Sequence, residues 1–150
     1  MPVTVHYADV EFKPKGLTPL KQFILENFTQ ATGKKLSLSI VFCSDDYLLN
    51  INRTFLNHDY YTDIITFPLE DTAKKTEAEI YISLDRVWDN AKKLKVSFDE
   101  ELHRVLFHGV LHLQGYADKT KTLKEQMTAA EDKTLKAFAK FLLQRSKQSL

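Results

Sequence analysis

Apolar and polar positions along the chain change period several times, and each change marks an element. Residues 3–7 alternate and read as a strand. Residues 17–32 carry apolar positions at helical spacing. Leu17 or Thr18 stands near the start, Pro19 suits the first turn, and Gly33 ends the helix. Residues 36–43 alternate through Leu36, Leu38 and Ile40 and read as a second strand. Ser44 or Asp45 caps a short helix that runs to Phe55. A third strand is expected over 64–67, stopped by Pro68, followed by a polar loop over 69–77 and a strand over 79–83. Helices are expected over 85–94, over 98–113 from Ser97 or Phe98, and over 121–143, with 145–150 a frayed tail. Asp99, Glu100 and Glu101 suit the first turn of the helix over 98–113, where they complement its dipole. Strands and helices in this order predict an α+β fold: a mixed sheet of about four strands flanked by helices, in one domain over 1–150.

The helix over 98–113 carries the candidate chemistry. Its end reads His108-Gly109-Val110-Leu111-His112-Leu113-Gln114-Gly115-Tyr116-Ala117-Asp118, the pattern H-x-x-x-H-x-x-G-x-x-D. Two histidines four apart share one helix face, Gly115 can turn the chain back, and Asp118 can then reach the same point. That is the geometry a three-ligand catalytic zinc site needs, with a fourth position left open to water. On a wheel of about 100° per residue, His108 and His112 fall with Glu101, Arg104 and Val105, off the stripe of Leu102, Leu106, Gly109, Val110 and Leu113. They therefore face a flank, and the competing reading is a pair of solvent-facing histidines on an ordinary amphipathic helix. Zinc peptidases place a glutamate directly after the first histidine; here Gly109 stands there, which argues against a peptidase.

These residues resemble the signature of the YbeY-type endoribonucleases, the rRNA maturation factors, whose usual form is H-G-x-L-H-L-x-G-Y-D-H. His108, Gly109, Leu111, His112, Leu113, Gly115 and Tyr116 match, while Asp118 stands for the last histidine and Ala117 for the aspartate before it. A carboxylate oxygen coordinates zinc at a distance similar to that of an imidazole nitrogen, and makes a harder, less zinc-selective site. A second run is similar to the family's N-x-x-[FY]-R-x-K-D-x-x-T-D-V-L-S-F-P. Asn52, Phe55, Asp59, Thr62, Asp63, Phe67 and Pro68 match; Leu56 replaces the usual arginine and His58 the usual lysine. Residues 78–83, Ala-Glu-Ile-Tyr-Ile-Ser, resemble the family's G-D-I-x-I-S strand. The likeness runs roughly from Val3 to Phe141.

The resemblance implies a cleft between sheet and motif helix. One zinc, or another divalent metal, would be held there by His108, His112 and Asp118 for hydrolysis of RNA phosphodiesters. It implies cytoplasmic rRNA and other single-stranded RNA as substrates, late 16S 3′-end maturation and ribosome quality control as the role, and the small ribosomal subunit as partner. Asp63, Glu79 and Arg53 are the candidates for orienting water or steadying the phosphate, Arg53 because it lies one helical turn before the missing arginine. Asp63 reads equally as a turn or capping residue, and Glu79 as the exposed face of a strand. Tyr116 reads as packing under its turn or as a stacking platform for a base. Two readings compete with the ribonuclease. One is a ribosome-assembly factor that binds RNA without cutting it, favoured by Leu56; the other is a zinc hydrolase acting on another substrate.

Composition narrows the setting. At 43% hydrophobic and 27% charged residues, the chain has the balance of a protein with a buried core. Its single cysteine, Cys43, excludes an internal disulfide and sits in an apolar strand run. Residues 1–10 lack the apolar run of a signal peptide, and no stretch is apolar enough to span a membrane. The formal charge of +1 gives no basic signature, so RNA binding would need a local patch. Lys34-Lys35, Lys74-Lys75, Lys92-Lys93 and Lys13 with Lys15 are candidates; each also reads as a solvated surface pair.

Overall fold

The computed structural model describes residues 2–148. In chain order the elements are β1 (Val3–Tyr7), α1 (Leu17–Thr32), β2 (Lys35–Cys43), α2 (Asp45–Leu56), β3 (Ile64–Asp71), β4 (Lys75–Ser83), α3 (Leu84–Leu94), α4 (Phe98–Leu113) and α5 (Lys121–Gln148). The sheet order is β1-β2-β4-β3, with β1, β2 and β4 parallel and β3 antiparallel to β4. This is the mixed four-stranded α+β arrangement that the periodicity predicts.

Alternation assigns the two faces. Leu36, Leu38, Ile40 and Phe42 of β2, with Ala78, Ile80 and Ile82 of β4, bury against Phe23, Ile24 and Phe28 of α1, Val87 of α3, and Leu102 and Leu106 of α4. Cys43, Ile65, Phe67 and Tyr81 face the other way and pack with Leu48 and Ile51 of α2. Serine hydroxyls start three of the helices. Ser44, Ser83 and Ser97 accept hydrogen bonds from the amides of Tyr47, Arg86 and Glu100, each at 3.1 Å.

Two sequence expectations fail at the same hairpin. Pro68 does not stop β3, and 69–77 is not a loop: β3 continues to Asp71, and β4 begins at Lys75. The reason is position in the sheet. β3 is an edge strand, and its pairing shifts between Pro68 and Glu70, so the missing proline N–H falls at an irregularity where it costs little. The remaining turn is closed by Thr72, whose N–H donates to the Lys75 carbonyl (2.8 Å) and whose Oγ1 accepts from the Lys75 amide (3.1 Å). A third expectation also fails. The tail is helical to Gln148, and Arg145 donates a hydrogen bond to Gln22 of α1; residues 149 and 150 of that expectation lie outside the described residues.

Candidate metal centre and cleft

α4 crosses the sheet where Gly109 meets β3 and β4. A Cβ at this position would lie 2.7 Å from Ile64 Cδ1, 3.1 Å from Ile80 Cδ1 and 3.1 Å from Thr66 Oγ1. Glycine makes this approach without displacing those side-chain tips, whereas any larger residue would push on them. The approach sets His108 and His112, on either side of Gly109, over the edge of β3.

The histidine pair is one helical turn apart, and the two Nε2 atoms stand 2.9 Å from each other. After Leu113 the chain turns back through Gly115 (φ 106°), closed by hydrogen bonds from the Gly115 amide to the His112 carbonyl (3.0 Å) and from the Tyr116 amide to the Leu111 carbonyl (3.1 Å). That turn delivers Asp118. Its Oδ2 lies 3.3 Å from His108 Nε2 and 3.5 Å from His112 Nε2. In a tetrahedral zinc site with metal–nitrogen bonds of 2.0–2.1 Å, ligand atoms stand about 3.3 Å apart, so the three atoms have the spacing of a ligand set. His108, His112 and Asp118 form the metal-compatible cluster among the described residues.

Hydrogen bonding sharpens this fit. His108 Nδ1 is 2.6 Å from Glu131 Oε2, and His112 Nδ1 is 2.9 Å from the Tyr116 carbonyl oxygen. A carboxylate and a carbonyl only accept, so each Nδ1 carries the proton. In the neutral rings both Nε2 atoms then present lone pairs to one another and to a carboxylate oxygen. Such a group of acceptors calls for a cation between them. Burial of the His108 ring opposes its charge, but the bond to Glu131 and the negative charges of Glu131, Asp118 and Asp63 outweigh that and raise its pKa.

The flank that carries the histidines is only partly open to solvent, the two side chains being 25% and 32% exposed. α5 covers it, burying Glu131 (7% exposed), whose Oε1 accepts from Arg104 Nη1 at 2.9 Å. Arg104 also donates to Asp132 at 2.7 Å, tying α4 to α5 behind the histidines. Neither Arg104 nor Glu131 was among the sequence candidates. The available signal was an acidic residue on the inward stripe of α5, between Met127, Ala130 and Phe138, which are all buried.

The cleft has a volume of about 490 Å³. Its walls include Asn52, Leu56, His58, Tyr60 and Asp63 from α2 and the following loop, Ile64 and Thr66 from β3, and the His108/His112/Asp118 group. Asp63 is therefore brought to the centre. Its Oδ2 accepts from Asn90 Nδ2 at 3.2 Å, and burial raises its pKa against the opposing charges of His108 and Arg86. Glu79 and Arg53 are not brought there. Glu79 has the odd parity of β4 and points to the α2 face, lining a separate apolar pocket with Ile51, Phe55, Phe67 and Tyr81. Arg53 is ion-paired with Asp59 and does not line the cleft, so it does not replace the cation missing at Leu56. Tyr116 contributes its backbone carbonyl; the residue is 41% exposed and does not line the cleft. Of the lysine pairs, Lys34 and Lys75 hold Asp71 and Glu77, and among the described residues no lysine or arginine lines the cleft.

The arrangement can be set against known proteins. The model of the family described as Endoribonuclease YbeY matches residues 3–139. Proteins named Endoribonuclease YbeY from Cytophaga hutchinsonii and Parabacteroides distasonis are 57% and 37% identical to this chain. The first match covers 67% of this chain and 70% of the relative, the second 90% and 94%. The solution structure of TM1509 from Thermotoga maritima is similar over 97% of this chain and 93% of its own, with a TM-score of 0.62 and 25% identity. Matches that run from β1 through the cleft residues to α5 leave one assignment: the chain belongs to the Endoribonuclease YbeY family, enzymes that hydrolyse phosphodiester bonds within RNA.

Proposed function

We propose that this protein is a metal-dependent endoribonuclease that cuts single-stranded RNA in the cleft between α4 and β3, as one catalytic domain. The observation that carries the reading is the convergence of His108 Nε2, His112 Nε2 and Asp118 Oδ2 within 3.5 Å, with both Nδ1 atoms committed elsewhere. These three residues would hold one zinc ion, or a divalent metal of similar preference given the carboxylate. Such an ion supplies Lewis acidity toward a phosphate oxygen and acidifies bound water. The remaining work falls to the chain. Glu131 and the Tyr116 carbonyl orient the two imidazoles. Asp63, which lines the same cleft and has a pKa raised by burial, would take the proton of an attacking water. Arg53 and Glu79 have no part in this reading, because neither lines the cleft.

Family membership supports RNA as substrate. The finer role we assign is maturation of the 16S rRNA 3′ end and ribosome quality control, acting on the small subunit in the cytoplasm. No helix among the described residues is long and apolar enough to cross a membrane. A peptidase reading is disfavoured by Gly109, where a glutamate would push on Ile64 and Ile80. One observation favours a second reading, a ribosome-assembly factor that binds without cutting: Leu56 lines the cleft where the family pattern has arginine.

The test is cleavage of 3′-extended small-subunit rRNA by highly purified protein. The expected result is cleavage that stops on chelation, returns with zinc, and is absent in His112→Ala. Binding to the small subunit without any cleavage would overturn the enzyme reading in favour of the assembly factor.

A further inference from the structure

The loop between α2 and β3 forms one wall of the cleft, and it carries two rings held as a unit. His58 and Tyr60 stack with centroids 5.2 Å apart and planes 20° from parallel, and Tyr60 Oη lies 3.0 Å from His58 Nδ1. Their support is buried. Asn52, 2% exposed, accepts the His58 amide on its backbone oxygen (3.1 Å) and donates Nδ2 to the Tyr60 carbonyl (2.9 Å). Asn57, at the left-handed C-cap of α2, also donates its amide to the Asn52 carbonyl. The loop is thus clamped at both ends of the ring pair, yet Tyr60 remains 56% exposed. A solvent-exposed aromatic pair on a braced loop has no core to fill. Both rings line the same cleft as His108, His112 and Asp118, a cleft lined by no lysine or arginine among the described residues.

We propose that the His58–Tyr60 pair is a base-stacking subsite that holds one nucleobase beside the phosphodiester to be cut. The inference rests on the ribonuclease reading and adds how substrate is gripped. With no lysine or arginine among the described residues that line the cleft, aromatic faces add a hold beside that of the metal centre. Every base offers a π-face, so such a subsite tolerates sequence. A duplex keeps its base faces stacked internally, so the subsite accepts single strands and disfavours paired RNA.

The test compares wild type, Tyr60→Leu, Tyr60→Trp and His58→Leu on a short single-stranded RNA carrying 2-aminopurine, and on its duplex. Bound zinc is measured in each variant to show that the metal centre is intact. The expected result is a KM for the single strand raised roughly 5- to 150-fold in Tyr60→Leu, the range for loss of one stacked base, and recovery in Tyr60→Trp. The quench of 2-aminopurine on binding should weaken in both leucine variants. Unchanged KM and quench in the leucine variants, with wild type cleaving normally, would overturn the subsite and leave the ribonuclease standing. An equal loss in Tyr60→Leu and Tyr60→Trp would overturn it in favour of a purely structural loop. Failure of wild type to bind or cut any RNA would remove the ribonuclease reading, and the subsite with it.

Discussion

Glu131 Oε2 stands 2.6 Å from His108 Nδ1, and the same carboxylate is held on its other oxygen by Arg104. A metal-binding imidazole is fixed in tautomer and direction by what its second nitrogen touches. Glu131→Gln keeps the size of the side chain but removes its charge and leaves one acceptor oxygen for two donors, His108 Nδ1–H and Arg104, so one of them loses its partner. Zinc affinity should fall about 10- to 100-fold, as is usual when such a partner is removed. Chelator competition on both proteins measures it; equal affinities would show that Glu131 only packs α5 onto α4.

Asp118 departs from the family signature, and its carboxylate is the least buried member of the cluster, at 40% side-chain exposure. Asp118→Ala removes one of three ligand atoms and should abolish stoichiometric zinc on protein purified without added metal. Asp118→His should bind zinc at least as tightly as wild type, because imidazole is the softer ligand. Elemental analysis of the three proteins decides this. Full zinc in Asp118→Ala would place the third ligand elsewhere.

Gly109→Ala pits helix propensity against packing. Alanine favours a helix interior by about 1 kcal/mol. The added Cβ, however, would stand 2.7 Å from Ile64 Cδ1 and 3.1 Å from both Ile80 Cδ1 and Thr66 Oγ1, and overpacking typically costs about 1–3 kcal/mol. Overpacking should win, for a net loss of about 1 kcal/mol in urea unfolding, with α4 shifted and zinc bound more weakly. A more stable variant would mean that the isoleucine tips yield freely.

His103 lies on the face of α4 toward Phe107 and Phe138, and its ring meets Phe138 edge-on at 5.0 Å. Burial lowers its pKa, with partial opposition from the charge of Asp99. Below its ordinary value of about 6.5 the unfolded chain takes up the proton more readily than the folded one, so this residue makes stability fall as pH drops through that region. Above it the effect is absent. In metal-free protein, His103→Phe should lose less stability than wild type between about pH 7 and pH 5. Parallel urea-unfolding series, subtracted point by point, cancel the other titrating groups; a flat difference would count against the assignment.

Local chemistry is what the sequence states well. The i, i+4 spacing of His108 and His112, the glycine at 115 and the aspartate at 118 are covalently close. The helix and its turn bring them together with no help from distant parts of the chain. The alternation in β2 and β4 and the serine caps are local in the same way, so element types and the mixed sheet were readable. Asp63 stands in a segment that resembles a known one, and it lines the cleft from the loop that leads into β3, ahead of the strand's alternation. What the sequence could not decide depends on partners far along the chain. Pro68 continues its strand because β3 is at the edge of the sheet, a fact of strand order. Glu79 leaves the site because Ile80, one residue on, faces the core, and a strand reverses its face at every residue. Glu131 enters the site because α5 folds back over the flank of α4, and no spacing within either helix encodes that meeting. Arg53 turns to Asp59 instead of the cleft for the same reason. The metal-compatible cluster is written locally in the chain; tertiary packing decided which residues support it and which line the cleft beside it.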